Sequence, residues 1–248
     1  MTVETLPTRA AEDWRYADVE ALKALWPIAA PELVTVPAGG SFSRTILQTG
    51  GGVTRLSLVL ESKATAVVHI LNAGGPYARV EVDVLLHEGA DFTLGGAQLA
   101  GEGETVEIVT TVTHAQPNAT SRQLVRSVAA ARGVASYLGK VKVERGADGT
   151  DGEQSVRAML LDRTATANAR PELEIYADSV KCAHGCAVGE LDANGLFYLA
   201  SRGVPPAQAK ALMLSAFVAE AFDGAEEGDN LQAHAQALLE KALLEGKA

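Results

Sequence analysis

The chain reads as mainly β, with a short helix ahead of the β region and a helical region behind it. Three observations carry this. From about residue 32, apolar and polar residues alternate with a period of two. Glycine or polar clusters at 50–52, 74–76, 88–91 and 101–103 cut that alternation into short runs. After Asp192 the apolar residues recur at helical spacing. The chain thus divides into a short N-terminal helical segment (1–31), a β core (32–190) and a C-terminal helical region (191–248).

Residues 10–26 predict a short helix. Leu22 and Leu25 share a face, Val19 and Trp26 adjoin it, and Glu12 and Asp13 sit near its start, where the helix dipole favours them. Pro27 and Pro31 end it. Trp14, Arg15 and Tyr16 form an aromatic cluster in a chain poor in aromatics, and packing on the body is its expected role. Strand-like runs follow: Val53 to Leu60, Ala66 to Leu71, Val80 to Leu86, Phe92 to Leu94 and Val106 to Val112. The run at 67–71 is apolar on both faces, which suits a strand covered on both sides. This pattern fits a sandwich or jelly roll, and it fits a parallel β-helix; periodicity alone does not choose. No strict repeat is visible.

Residues 122–144 are ambiguous. Their Ala, Arg and Leu content suits a helix, while Val125, Ser127 and Ala129 alternate as in a strand, with Gly133 and Gly139 dividing the segment. Residues 145–153 form a polar loop. Asp192 is a good N-cap, Gly203 a helix stop, and Pro205-Pro206 a new helix start. Two further apolar stripes predict helices over 206–222 and 229–245, joined by an acidic linker.

At 248 residues with 47% hydrophobic content, the chain can bury a substantial core and is not a disordered protein. A net charge of −10, without a basic cluster, argues against nucleic acid or an anionic membrane as partner. No secretory leader pattern and no apolar run approaching the roughly 18 residues of a membrane span is visible. A cytoplasmic location is expected, and there Cys182 and Cys186 would be reduced thiols. At four residues apart they would also close too small a loop to act as a staple.

Chemistry concentrates in residues 170–192, which hold both cysteines with His184 midway between them. On an extended strand Cys182, His184 and Cys186 project the same way. Two thiolates and an imidazole suit zinc, copper or an iron–sulfur species. One strand cannot wrap a tetrahedral ion, the spacing is not that of zinc pairs, and no fourth ligand is visible, so a second chain would have to complete the site. A Cys–His nucleophile pair, with Lys181 lowering a thiol pKa, is a second option. It is weakened by the roughly 7 Å between alternate strand residues. A buried, inert thiol is the third. Among the other histidines, His69 and His87 read as packed or surface groups, His114 as one that orients a loop, and His234 as a helix-face residue.

The string from Arg170 to Gly203 resembles the C-terminal signature of the SufB/SufD family of iron–sulfur assembly scaffolds, in its SufD-type form. The match runs through Pro171, Leu173, Glu174, Ile175, Asp178, Val180, Cys182, His184 and Gly185, and on through Leu196, Phe197, Tyr198, Ser201 and Arg202. His114, Pro117, the 120–122 triplet and Trp14-Arg15-Tyr16 add to it. The resemblance implies a right-handed parallel β-helix core and favours strands for 122–144. It implies a scaffold, not an enzyme, that builds a transient iron–sulfur cluster at an interface shared with a SufB-like subunit and docks a SufC-like ATPase. A homodimer is possible in isolation. His184 and Cys182 would be the metal-facing residues, with Cys186 at the same interface although the family usually has Ala there. Leu196, Phe197, Tyr198, Arg202, Met213 and Phe217 would belong to the SufC dock. A flavin is possible but unsupported by these residues. The chain also lacks most of the family's helical region ahead of the Trp14 motif. The competing readings are a polysaccharide-active β-helix enzyme and a purely structural partner subunit with inert thiols.

Overall fold

Alternate strands along the chain pair side by side, so that the polypeptide winds as a parallel β-solenoid. The computed structural model describes residues 5–245. After α1 (Val19–Lys23) come β1 (Glu32–Val36), β2 (Ser41–Gln48), β3 (Gly52–Leu60), β4 (Thr65–Ala73), β5 (Tyr77–Leu86) and β6 (Asp91–Ala100). They continue as β7 (Thr105–His114), β8 (Thr120–Ala129), β9 (Val134–Val143), β10 (Asp151–Leu160), β11 (Thr166–Ile175) and β12 (Lys181–Gly189). Helices α2 (Ala193–Ser201), α3 (Pro206–Ala219) and α4 (Gly228–Glu245) follow. Odd strands make one six-stranded sheet and even strands the other, each in sequence order. Every pairing is parallel, which sets aside the sandwich and jelly roll.

The core lies between the two sheets and is built of stacked columns. Val34, Leu58, Val84, Val112, Val141 and Leu173 occupy one register position in successive coils. Each fully buried side chain of this kind stabilises the fold by about 1.5–3 kcal/mol relative to exposure. At one corner the column is polar: Gln48 Nε2 donates to Asn72 Oδ1 at 2.9 Å, and Asn72 Nδ2 donates to the Glu107 carbonyl at 2.8 Å. These amides satisfy carbonyls of the opposite sheet that the turn would otherwise leave buried and unpaired.

The coils share a turn. Gly39, Lys63, Gly89, Asn118 and Gly149 all have positive φ, between +58° and +75°. The N–H of each donates to a carbonyl one coil further on, as Lys63 does to Glu88 at 2.8 Å and Asn118 to Asp148 at 2.9 Å. The coil itself lengthens along the chain. Ser41 pairs with Thr65, 24 residues on, whereas Val134 pairs with Thr166, 32 residues on.

Both outer faces are covered in part. On the even sheet, Leu71, Ala97, Leu99 and Val128 pack against Leu214, Val218, Phe222, Leu231 and Leu239 of the helical region. Three contacts seat the short helical turn after α3. His69 Nε2 lies 3.2 Å from the Asp223 carbonyl, and the buried Arg126 donates to Glu220 at 2.8 Å. Gly95 leaves room for the Ala221 carbonyl, which would lie 2.0 Å from any Cβ there. On the odd sheet, the N-terminal segment covers a buried ion-pair network in which Arg79 donates to Glu107 at 2.9 Å and to Glu81 at 2.7 Å.

That segment corrects one expectation. Residues 10–26 do not form one helix; a 3₁₀ turn at Glu12–Trp14 precedes the five-residue α1. Asp18 is the reason, because its side chain accepts from the N–H groups of Glu20 and Ala21 and starts a new helix there. Elsewhere the helix signals hold. Asp192 caps α2 through Asn194 and Gly195, and Gly203 adopts φ +84°. Residues 122–144 are strand β8, a turn and β9.

Candidate site at the open end of the solenoid

Strand β12 is the last of its sheet and pairs only with β10. Register places Cys182 on Gly152, His184 on Gln154 and Cys186 on Val156. Those positions continue inward-facing columns of the core: Leu94, Gln123 and Gln154 lead to His184, and Val125 and Val156 lead to Cys186. All three candidate residues therefore face the inside of the solenoid at its last coil, with no further strand above them. His184 and Cys186 are exposed and Cys182 is half-buried. Cys182 packs against the main core, its Sγ 3.6 Å from where a Cβ on Gly152 would lie.

Burial pushes the Cys182 thiol pKa up, and the Gly152 backbone offsets this only in part. The expectation that Lys181 activates this thiol is not met: Lys181 is the odd neighbour on the strand and points to the outer face. Alternate strand residues stand roughly 7 Å apart. Among the described residues, no three or more His, Cys, Asp or Glu side chains converge so as to hold a metal ion. The mouth presents soft ligands without enclosing anything.

Beneath it lies a polar centre that the sequence did not reveal. Tyr137 is fully buried, its phenol lying across Gly139, where a Cβ would come within 2.1 Å of the hydroxyl. The phenol donates to Gln123 Oε1 at 3.2 Å, Gln154 Nε2 donates to the phenol at 3.3 Å, and the Thr110 hydroxyl donates to Gln123 Oε1 at 2.7 Å. Burial raises the Tyr137 pKa, so the phenol stays protonated. Gln123 Nε2 and Gln154 Oε1 have no partner. Glutamines at two inward-facing positions were the available signal, but β8 and β10 carry polar residues on both faces, so alternation does not mark which face is inward.

The opposite end differs. Glu32 and Arg44 occupy the corresponding inward-facing columns of β1 and β2, and they join across the interior as a bidentate pair at 2.6 and 2.9 Å.

The other histidines are accounted for locally. His69 belongs to the helix-docking contact, His87 Nδ1 lies 2.8 Å from Glu61, and His234 Nδ1 lies 2.9 Å from the Asn230 carbonyl. His114 is buried with Nε2 2.9 Å from the Ser121 hydroxyl, and burial pushes its pKa down to about 4. Of the proposed docking residues, Phe197 and Tyr198 are 75% and 57% exposed, and the Arg202 guanidinium lies over Tyr198 at 5.2 Å. Leu196 is half-buried. Met213 and Phe217 point inward instead, Met213 against Gly195 and Phe217 against the helix–sheet core.

Fold and mouth together define a class: a parallel β-solenoid that displays thiols and an imidazole at one unsealed end and carries a helical arm along its side. Residues 45–217 match the family model described as "SUF system FeS cluster assembly, SufBD core domain". The chain belongs to this SufB/SufD family, and its relatives place it with SufD. It is 33% identical over 164 residues to the iron–sulfur cluster assembly protein SufD of Escherichia coli, covering 66% of this chain and 39% of that protein. It is 36% identical over 140 residues to protein ABCI7 of Arabidopsis thaliana chloroplasts, covering 55% and 30% respectively. A SufBD family protein of Synechocystis is 33% identical over 155 residues, covering 62% and 34%. The chain thus spans two fifths or less of the length of these relatives. No helix among the described residues is long and apolar enough to cross a membrane.

Proposed function

We propose that this chain is a cytoplasmic scaffold subunit for iron–sulfur cluster assembly whose open end is completed by a second, SufB-like subunit. The observation that carries this is the placement of Cys182, His184 and Cys186 on the inner face of the last strand. A solenoid end without a cap leaves backbone edge groups and core side chains to be covered, and pairing with another chain covers them. The nascent cluster is the cargo of the shared interface. His184 supplies a ligand from this side. Cys182, a neutral thiol while the end is open, becomes a ligand once an iron ion at the interface favours the thiolate and its proton is released. Cys186 stands in line with both as a further sulfur. Phe197, Tyr198 and Arg202 form the exposed part of the dock for a SufC-like ATPase, with Leu196, Met213 and Phe217 holding that surface in place.

The test is His184→Ala in the complex co-expressed with its SufB- and SufC-like partners. Loss of the brown chromophore and of bound iron and sulfide, with the complex still assembled, is expected. Full cluster content in an intact variant complex would remove His184 from the chemistry. The same measurement on the Cys182→Ala, Cys186→Ala double variant separates this reading from a structural subunit with inert thiols.

A further inference from the structure

Along the column that ends at His184, the solenoid interior changes character. After Arg44 in the first coil, the inward-facing residues are Val68 and Leu94, then Gln123, Gln154 and His184. Gln123 and Gln154 are 2% and 1% exposed, and each leaves one amide atom without a partner. An unpaired amide atom in such a place destabilises the fold, and apolar residues fill the same column two coils earlier at no such cost. Folding alone does not account for these two glutamines.

Gln154 is held from below: its Nε2 donates to the Tyr137 phenol, which is fixed in turn by Gln123 and Thr110. Its remaining atom, Oε1, is an acceptor. The next residue in the column is His184, one ladder step above on the same face. Paired residues of neighbouring strands lie roughly 4.8 Å apart, within reach of an amide on a two-carbon stem. An imidazole that binds metal through one nitrogen needs an acceptor for the N–H of the other, and that acceptor sets the tautomer.

We propose that Gln154 is the positioning residue for His184: its free amide oxygen takes one ring N–H and leaves the other ring nitrogen as a lone pair facing out of the mouth. The hub of Thr110, Gln123 and Tyr137 keeps the Gln154 amide from turning. The inference rests on the reading of His184 as a ligand, yet it concerns the ring before any cluster is present.

The tautomer ratio of His184, read from ¹⁵N shifts of the full-length chain at a pH where the ring is neutral, tests it. The wild type should hold one dominant tautomer. Gln154→Leu should move the ratio by about fivefold toward that of free histidine, the worth of one hydrogen bond, and Gln154→Glu, which keeps an acceptor, should restore it. A wild-type ratio equal to that of free histidine overturns the proposal even if Gln154→Leu fails to fold. So does an unchanged ratio in a folded Gln154→Leu. Failure of the cluster test on His184→Ala would leave these tautomer results standing, so the two readings fail separately.

Discussion

The indole of Trp14 lies over the guanidinium of Arg79, 3.9 Å from ring centroid to carbon. Arg79 is 1% exposed and shares the buried Glu107 with the Tyr77 hydroxyl. Trp14 therefore closes a buried ionic network against water, in a geometry where a cation gains from the ring face. This gives the aromatic cluster near the N-terminus its physical role.

Trp14→Ala should destabilise the chain by about 2–3 kcal/mol, through lost packing and through water reaching the network. Trp14→Phe should cost roughly half as much. Urea unfolding of the two variants checks this, and equal midpoints for Trp14→Ala and wild type would refute it.

His114 sets part of the acid sensitivity. Burial lowers its pKa to about 4 from the ordinary 6.5. The native state resists the proton that the unfolded state accepts. The favourable contribution is full above pH 6.5 and is lost as pH falls toward 4, by up to about 3 kcal/mol. In His114→Gln the fall in unfolding free energy between pH 6.5 and pH 4 should be shallower, whatever its offset at pH 7. Parallel profiles for variant and wild type would count against this.

Lys63 is the one non-glycine, non-asparagine residue in the shared left-handed turn of the coils. Lys63→Gly should raise stability by roughly 1 kcal/mol by removing the Cβ strain of that conformation. Gly149→Ala should lower it by more, since the new methyl would also meet Asn118 Oδ1 at 2.3 Å. Thermal unfolding of both variants should show midpoint shifts of opposite sign.

The two thiols should differ in reactivity. Cys186 is exposed, whereas Cys182 is half-buried with its pKa pushed up. Alkylation followed by mass spectrometry at pH 7.5 should label Cys186 faster by on the order of tenfold. Equal rates would show that Cys182 does not sit against Gly152 in solution.

Alternation marked most strands, and Asp192, Gly203 and Pro206 marked the helix boundaries, because those signals act within a few residues. The parallel winding was not readable from period, because residues that stack, such as Ser41 and Thr65 or Val134 and Thr166, are separated by unequal lengths of chain. The turn that repeats is filled by Gly, Lys, Gly, Asn and Gly, so it repeats in conformation and not in residue type. The same-face placement of Cys182, His184 and Cys186 did follow from strand geometry. The Tyr137 hub did not, because Thr110, Gln123 and Gln154 reach it from three different strands.

The bidentate pair of Glu32 and Arg44 puts charges inside the first coil, where a stacked neighbour would need apolar side chains. A head-to-tail filament needs both ends of every unit to accept a mate. At the β1–β2 coil that mate would have to bury a charged pair. In a polymer chemist's terms the Glu32–Arg44 pair is a chain terminator at that coil: a copy stacked on it would have to strip water from both charges.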